Sequence, residues 1–146
     1  MPSDIAYFDT SVLLKRYFAE AGSARAQSLL KRHLLVSSAI TPVEAMSAIC
    51  RRRDSGELSR TAFGRIVRRF HGDRDRWELV EVTPQVLDTA EEFVSRLNIR
   101  TLDAMHLSSA SIIQASLGSR LRFVTADSRQ RVAASSLAFE CVWVGE

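Results

Sequence analysis

The chain has 146 residues, 46% apolar and 25% charged, with a formal net charge of +3. This balance suits one globular domain with one core, expected to span residues 1–146, and excludes a disordered or low-complexity chain. No apolar run approaches the ~20 residues of a membrane span, and "MPSDIAYFD" lacks the basic start and cleavage site of a leader, so a cytoplasmic location without a membrane partner is expected.

In chain order, Ile5 to Phe8 reads as a short buried strand. A helix from Ser11 to Phe18 follows, with Val12, Leu13, Leu14, Tyr17 and Phe18 on its apolar face and Lys15 and Arg16 turned outward. A second helix is expected over Ser23 to His33, then a strand over Leu34 to Ser38. "TPVEAMSAICRRRDSG" predicts a helix with Thr41 as its cap, Pro42 at the first helical position and Gly56 at its stop. Ser59 caps the next helix, whose apolar face is Phe63, Ile66, Val67 and Phe70. Trp77 to Val82 alternates like a strand, and "TPQVLDTAEEFVSRL" repeats the Thr-Pro helix start. "TLDAMHLSSASIIQASLG" predicts a helix ending at Gly118. Leu121 to Asp127 is a strand, a short helix follows, and Phe139 to Val144 is the last strand. Helices and about five strands alternate, which predicts an α/β fold of three layers with a central parallel sheet. Right-handed crossovers would bring the strand ends to one edge.

Metal-binding spacing is absent from the cysteines and histidines. Cys50 and Cys141 lie apart and read as buried small hydrophobes, and His33, His71 and His106 are scattered. The arginines are clustered instead, at Arg51, Arg52 and Arg53 and again at Arg65, Arg68 and Arg69. Such patches suit a polyanionic partner, and equally a solvated helix face.

Four acids stand out by position. Asp9 and Asp127 follow strands; Glu44 and Asp103 lie in the first turns of helices. Each has a purely structural alternative. Asp9 and Asp127 can cap the helices after them, "TPVE" has the form of a capping box, and Asp103 can complement a helix dipole. The second Thr-Pro helix carries Val86 where Glu44 stands in the first, so a cap here does not require an acid. Gathered at one sheet edge, the four would repel one another unless a cation sat among them. Oxygen-only donors suit Mg²⁺ or Mn²⁺. Such ions bind phosphate oxygens and activate water, and with basic helices nearby they point to nucleic-acid hydrolysis.

"YFDTSVLLKRY", "TPVEAMSAICRR", "TLDAMHLSSA" and "FVTADSR" resemble the successive acidic motifs of the PIN-domain family, and most closely its VapC-type toxins of bacterial toxin–antitoxin pairs. The resemblance runs from Ile5 to Val144. It implies a three-layer PIN-like fold and an Mg²⁺-dependent endoribonuclease that hydrolyses RNA, usually a homodimer, restrained by a cognate antitoxin of the VapB type. By position, Asp9, Glu44, Asp103 and Asp127 become its catalytic acids and metal ligands, with Asp9 and Asp103 the principal ligands. Glu44 would orient or deprotonate the attacking water, and Asp127 would complete the cage or hold a second ion. Ser11 and Thr125 match supporting hydroxyls of the first and last acids. His106, three residues after Asp103, would pack or bond beneath the site, or act as a general acid. The arginine-bearing helical arm would meet antitoxin or RNA.

Two other phosphate-handling families are disfavoured. A haloacid-dehalogenase-type phosphohydrolase needs a second aspartate where Ser11 stands. A signal-receiver domain needs an acidic pair near the first site. A degenerate nuclease fold kept as a binding module would have lost an acid, and all four are present.

Overall fold

The computed structural model describes residues 4–145; the first residues of the stretch read above for a leader lie outside it. The elements in order are β1 (Ile5–Phe8), α1 (Thr10–Leu14), α2 (Ser23–Arg32), β2 (Leu34–Ser38), α3 (Thr41–Asp54), α4 (Arg60–Arg74), β3 (Glu78–Val80), α5 (Pro84–Leu97), α6 (Thr101–Leu117), β4 (Arg122–Thr125), α7 (Ser128–Ser135) and β5 (Glu140–Trp143). The five strands form one sheet in the order β3-β2-β1-β4-β5. Every pairing is parallel, with Tyr7 opposite Val36 on one side and Phe123 on the other.

Period-two alternation builds the layers. Tyr7 and Phe123 point to one face, where they meet Val86, Ala90 and Phe93 of α5, Ala104 and Leu107 of α6, and Ala133 of α7. Their neighbours Ala6, Phe8 and Val124 point to the other, against Val12 and Leu13 of α1 and Ala26 and Leu29 of α2. Strands covered on both faces read as continuous apolar runs, as "IAYF" and "RFVT" nearly do. The α3–α4 hairpin has its own small core of Ala45, Ile49 and Phe70, closed by Phe18 and lined by Phe63, Ile66 and Val67. This three-layer α/β architecture is the predicted one. Among the described residues no helix is long and apolar enough to cross a membrane.

Several local expectations fail for physical reasons. The first helix is short, ending at Leu14. Lys15 is therefore not turned outward. It is buried, and its Nζ donates to Glu20 Oε1 at 3.2 Å. Arg16 reaches Asp73 at 2.7 Å. The third, fourth and fifth strands are shorter than their apolar runs, and the second helix stops one residue early, with His33 as its C-cap. Neither cysteine is fully buried; both are half-covered and unpaired. Gly22 begins α2 with φ +83°, and a Cβ there would collide with the Val144 carbonyl. Only glycine fits that close approach without strain.

Candidate active site

The strand order reverses between β1 and β4, and in open parallel sheets the crevice beyond such a switch point is where ligands bind. Asp9 sits there, one residue beyond β1, with its N–H donating to Val124 O at 3.1 Å. Its side chain caps α1 and takes two further hydrogen bonds. Oδ1 accepts from Val12 N–H at 3.4 Å, a weak cap, and from Ser11 Oγ at 2.7 Å, while Oδ2 accepts from Thr125 Oγ1 at 3.1 Å. All these donors are neutral, and no Lys or Arg among the described residues pairs with it. Burial pushes its pKa up to about 6; the nearby His106 and the hydroxyl bonds limit the rise.

Glu44 lies one turn into α3, and the expected capping box is not formed. Thr41 is helical already; the N-cap position falls on Ile40, with no side-chain cap. Thr41 Oγ1 instead meets Ser37 Oγ at 2.7 Å, and Ser37 donates to the carbonyl of Phe8 at 2.6 Å, which ties the start of α3 to the end of β1. Glu44 does not reach back to its own helix. Its Oε1 accepts from Thr10 Oγ1 at 2.7 Å and from His106 Nε2 at 2.6 Å. Burial acts to raise its pKa, but these bonds and the imidazole outweigh it and leave the carboxyl below its usual value.

His106 is 1% exposed, and its partners define its tautomer. Nε2 faces a carboxylate and so carries the proton; Nδ1 then accepts from the Tyr7 hydroxyl at 2.8 Å. Tyr7 is fully buried, and burial together with the Asp9 charge holds its pKa well above the usual value, so it keeps its proton. Tyr7, His106 and Glu44 thus form one hydrogen-bonded line.

Asp103 and Asp127 meet through Gln130. Asp127 caps α7, its Oδ1 accepting from the N–H groups of Arg129 at 2.9 Å and Gln130 at 3.2 Å. The Gln130 side chain donates Nε2–H to Asp103 Oδ1 at 2.9 Å. Asp127 N–H donates to Thr125 Oγ1 at 3.0 Å, so this hydroxyl serves the first acid as donor and the last only through its backbone. A circuit results: Asp9, its neighbour Thr10, Glu44, His106, Asp103 one turn earlier on α6, Gln130, Asp127, Thr125, and Asp9 again.

Both the chemistry and the spacing bear on whether this edge suits a cation. The donor set is all oxygen, as a hard divalent ion requires. Asp9 is buried without a basic partner. Glu44, Asp103 and Asp127 each have one oxygen tied, while the other accepts no hydrogen bond from the described residues. The chemistry therefore fits. The spacing is open: among the described residues no three acidic, imidazole or thiol groups stand close enough to form a closed ion cage.

Thr10, Tyr7 and Gln130 are the members that sequence analysis missed. Thr10 could have been found in "DTS", between two residues already singled out. Tyr7 looked like strand core, and Gln130 carries no signal beyond its place three residues after Asp127. The arginine arm divides. Arg52 pairs with Glu20 at 2.9 Å and covers the Phe18 ring at 4.0 Å, and Arg53 pairs with Asp54 at 2.8 Å. Arg51 bonds Ser47 and lines, with Ile40, Val43, Glu44 and Leu102, a groove of about 450 Å³ beside the site.

Residues 6–135 match the PIN domain family model. The chain is 34% identical over 137 residues to Ribonuclease VapC46 of Mycobacterium tuberculosis, covering 93% of this chain and 95% of that one. A toxin–antitoxin complex from Klebsiella pneumoniae contains a chain of the same fold, with a TM-score of 0.64 at 12% identity, covering 97% of this chain and 98% of that one. PAE2754 from Pyrobaculum aerophilum also shares the fold, with a TM-score of 0.60 at 19% identity, covering 89% and 80%. The chain whose acids are linked in this way belongs to the PIN-domain family and is a homologue of a VapC-type toxin ribonuclease.

Proposed function

We propose that this chain is a divalent-metal-dependent endoribonuclease, acting as one nuclease domain over residues 1–146 in the cytoplasm, and the toxin of a type II toxin–antitoxin pair. The observation that carries the proposal is the set of hydrogen bonds and adjacent chain positions that link Asp9, Glu44, Asp103 and Asp127 at the switch point of the sheet. Membership of a family that includes a protein named as a ribonuclease supports it.

Asp9 and Asp103 would hold Mg²⁺, with Mn²⁺ as a substitute, and Glu44 and Asp127 would complete the acidic surround. Bound there, the ion polarises a phosphate oxygen and lowers the pKa of nearby water. Glu44 is held ionised by Thr10 and His106 through Oε1. Its other oxygen is left to orient the attacking water and accept its proton. His106, fixed by Tyr7, keeps Glu44 aimed. Arg51, which lines the same groove as Glu44, suits a backbone phosphate of the RNA.

A cognate antitoxin of the VapB type would cover this edge and present a basic side chain to the acids. A homodimer would bury the exposed apolar side chains Leu87 and Val94 of α5. The deciding experiment incubates purified chain with RNA in Mg²⁺, Mn²⁺ and excess EDTA. Internal cleavage is expected with either ion and none in EDTA. Full cleavage in EDTA, with contaminating nucleases excluded, overturns the proposal.

A further inference from the structure

Gln130 is 4% exposed, although glutamine is mostly a surface residue. It touches two of the four acids at once. Its backbone N–H donates to Asp127 Oδ1 at 3.2 Å and its side-chain Nε2 to Asp103 Oδ1 at 2.9 Å. The amide oxygen, in contrast, is buried with no hydrogen-bond partner. Turning the amide over would not mend this, because Oε1 would then face the Asp103 carboxylate, acceptor against acceptor. Asp103 therefore dictates the orientation, and the unmet acceptor costs stability. With Ala133 and Ala134 of the same helix in the core, an apolar side chain would be the more stabilising choice here.

We propose that Gln130 is a positioning residue, which locks Asp103 to the first turn of α7 so that Asp103 and Asp127 are presented together to the bound cation. The inference rests on the metal reading above. An amide suits the task because it is a donor without charge. An arginine at the same place would neutralise Asp103 and compete with the ion. A lone hydroxyl would be too short to link α7 to α6. Gln130 fixes one oxygen of Asp103 and leaves the other and the full negative charge for the cation. The capping carboxylate of Asp127 sets the turn from which Gln130 projects, so Asp127 also acts on Asp103 through the helix.

The test compares Mn²⁺ binding, followed by electron paramagnetic resonance, in full-length wild type, Gln130→Met, Gln130→Leu and the control Val132→Ala, an exposed position on α7. Gln130→Met keeps the length and removes the donor. Its Mn²⁺ affinity is expected to fall about 10–100-fold, as for other partners that orient metal ligands, while its melting temperature is not lowered. Its kcat for RNA falls while KM is unchanged, and Val132→Ala binds like wild type. Wild-type affinity in a folded Gln130→Met overturns the inference alone. Absence of Mn²⁺ binding by the wild type overturns the metal reading and this inference with it. Should neither Gln130 variant fold, the wild type still decides. Its ¹⁵N-labelled Gln130 side-chain amide should shift during an Mg²⁺ titration, at the midpoint of metal binding. An amide unmoved at saturation overturns the proposal.

Discussion

Asp9 and Asp73 are both almost wholly buried, at 2% and 6% exposure, yet their surroundings are opposite in kind. Asp73 lies near the end of α4 and is gripped by Arg16 at 2.7 Å, Tyr17 at 2.7 Å and Arg76 at 2.9 Å. Burial acts to raise its pKa, but these donors outweigh it and the carboxyl titrates below its usual value. Asp9 has hydroxyls and one backbone amide only, and burial lifts it to about 6. The chain thus has the means to compensate a buried aspartate and uses them where the α4 end must be clamped to the segment after α1. At the sheet edge it leaves the charge uncompensated. A buried carboxylate costs stability unless it is paired or binds a metal, so the contrast sets a structural acid against one that the proposed function keeps for a ligand.

Exchanging the charges should expose that division. Asp9→Asn removes the uncompensated charge, and the hydroxyls of Ser11 and Thr125 can turn to suit the amide. Cleavage of RNA is expected to fall by more than about a hundredfold, beyond the usual effect of losing a residue that merely orients a ligand, with the melting temperature unchanged or raised. Near-normal initial rates at limiting Mg²⁺ would remove Asp9 from the site. Asp73→Ala should do the reverse. Breaking a buried pair costs about 3–5 kcal/mol; because Arg76 is 75% exposed and Arg16 28%, about 2–3 kcal/mol is expected here by urea melts. Cleavage per folded molecule should be retained.

The same division explains what was legible in the sequence. The alternation of elements, the layers and most helix bounds follow from periodicity, because they are set by which side chains must be covered. The four acids stand out in the sequence because each falls at, or within one turn of, an element boundary. What could not be seen is where a polar group turns when two partners compete for it. Thr41 and Thr83 both precede proline at a helix start. Thr83 caps α5, accepting from Val86 N–H at 3.2 Å. Thr41 lies inside α3 and bonds Ser37, and its Glu44 leaves the helix for Thr10 and His106. Lys15 and Arg16 likewise turned inward to acids distant in sequence or beyond a turn. Long-range polar choices of this kind leave no local pattern. Thr83→Ala should therefore cost about 1 kcal/mol, as loss of a cap does, with cleavage untouched. Thr41→Ala should cost about as much, for one buried hydrogen bond, and also slow cleavage, because it loosens the helix that carries Glu44. Equal rates in the two variants would return Thr41 to the role of a cap.

The smallest effect is the acid dependence of stability at Asp73, and its sign is fixed by the direction of the shift. Unfolded, this carboxyl titrates near the ordinary aspartate value of about 3.9. Folded, Arg16, Tyr17 and Arg76 hold it lower. The unfolded chain therefore binds the proton first, and stability falls as the pH drops. The contribution is fully present above the unfolded value and is lost as the pH falls through the folded one. Asp73→Asn removes it at every pH, so the stability difference between wild type and variant should be constant from neutral pH to about 5 and shrink below about 4. Guanidinium melts across that range measure it directly. A difference that grows on acidification would mean that burial, not the arginines, dominates at Asp73, and the two aspartates would no longer be opposites.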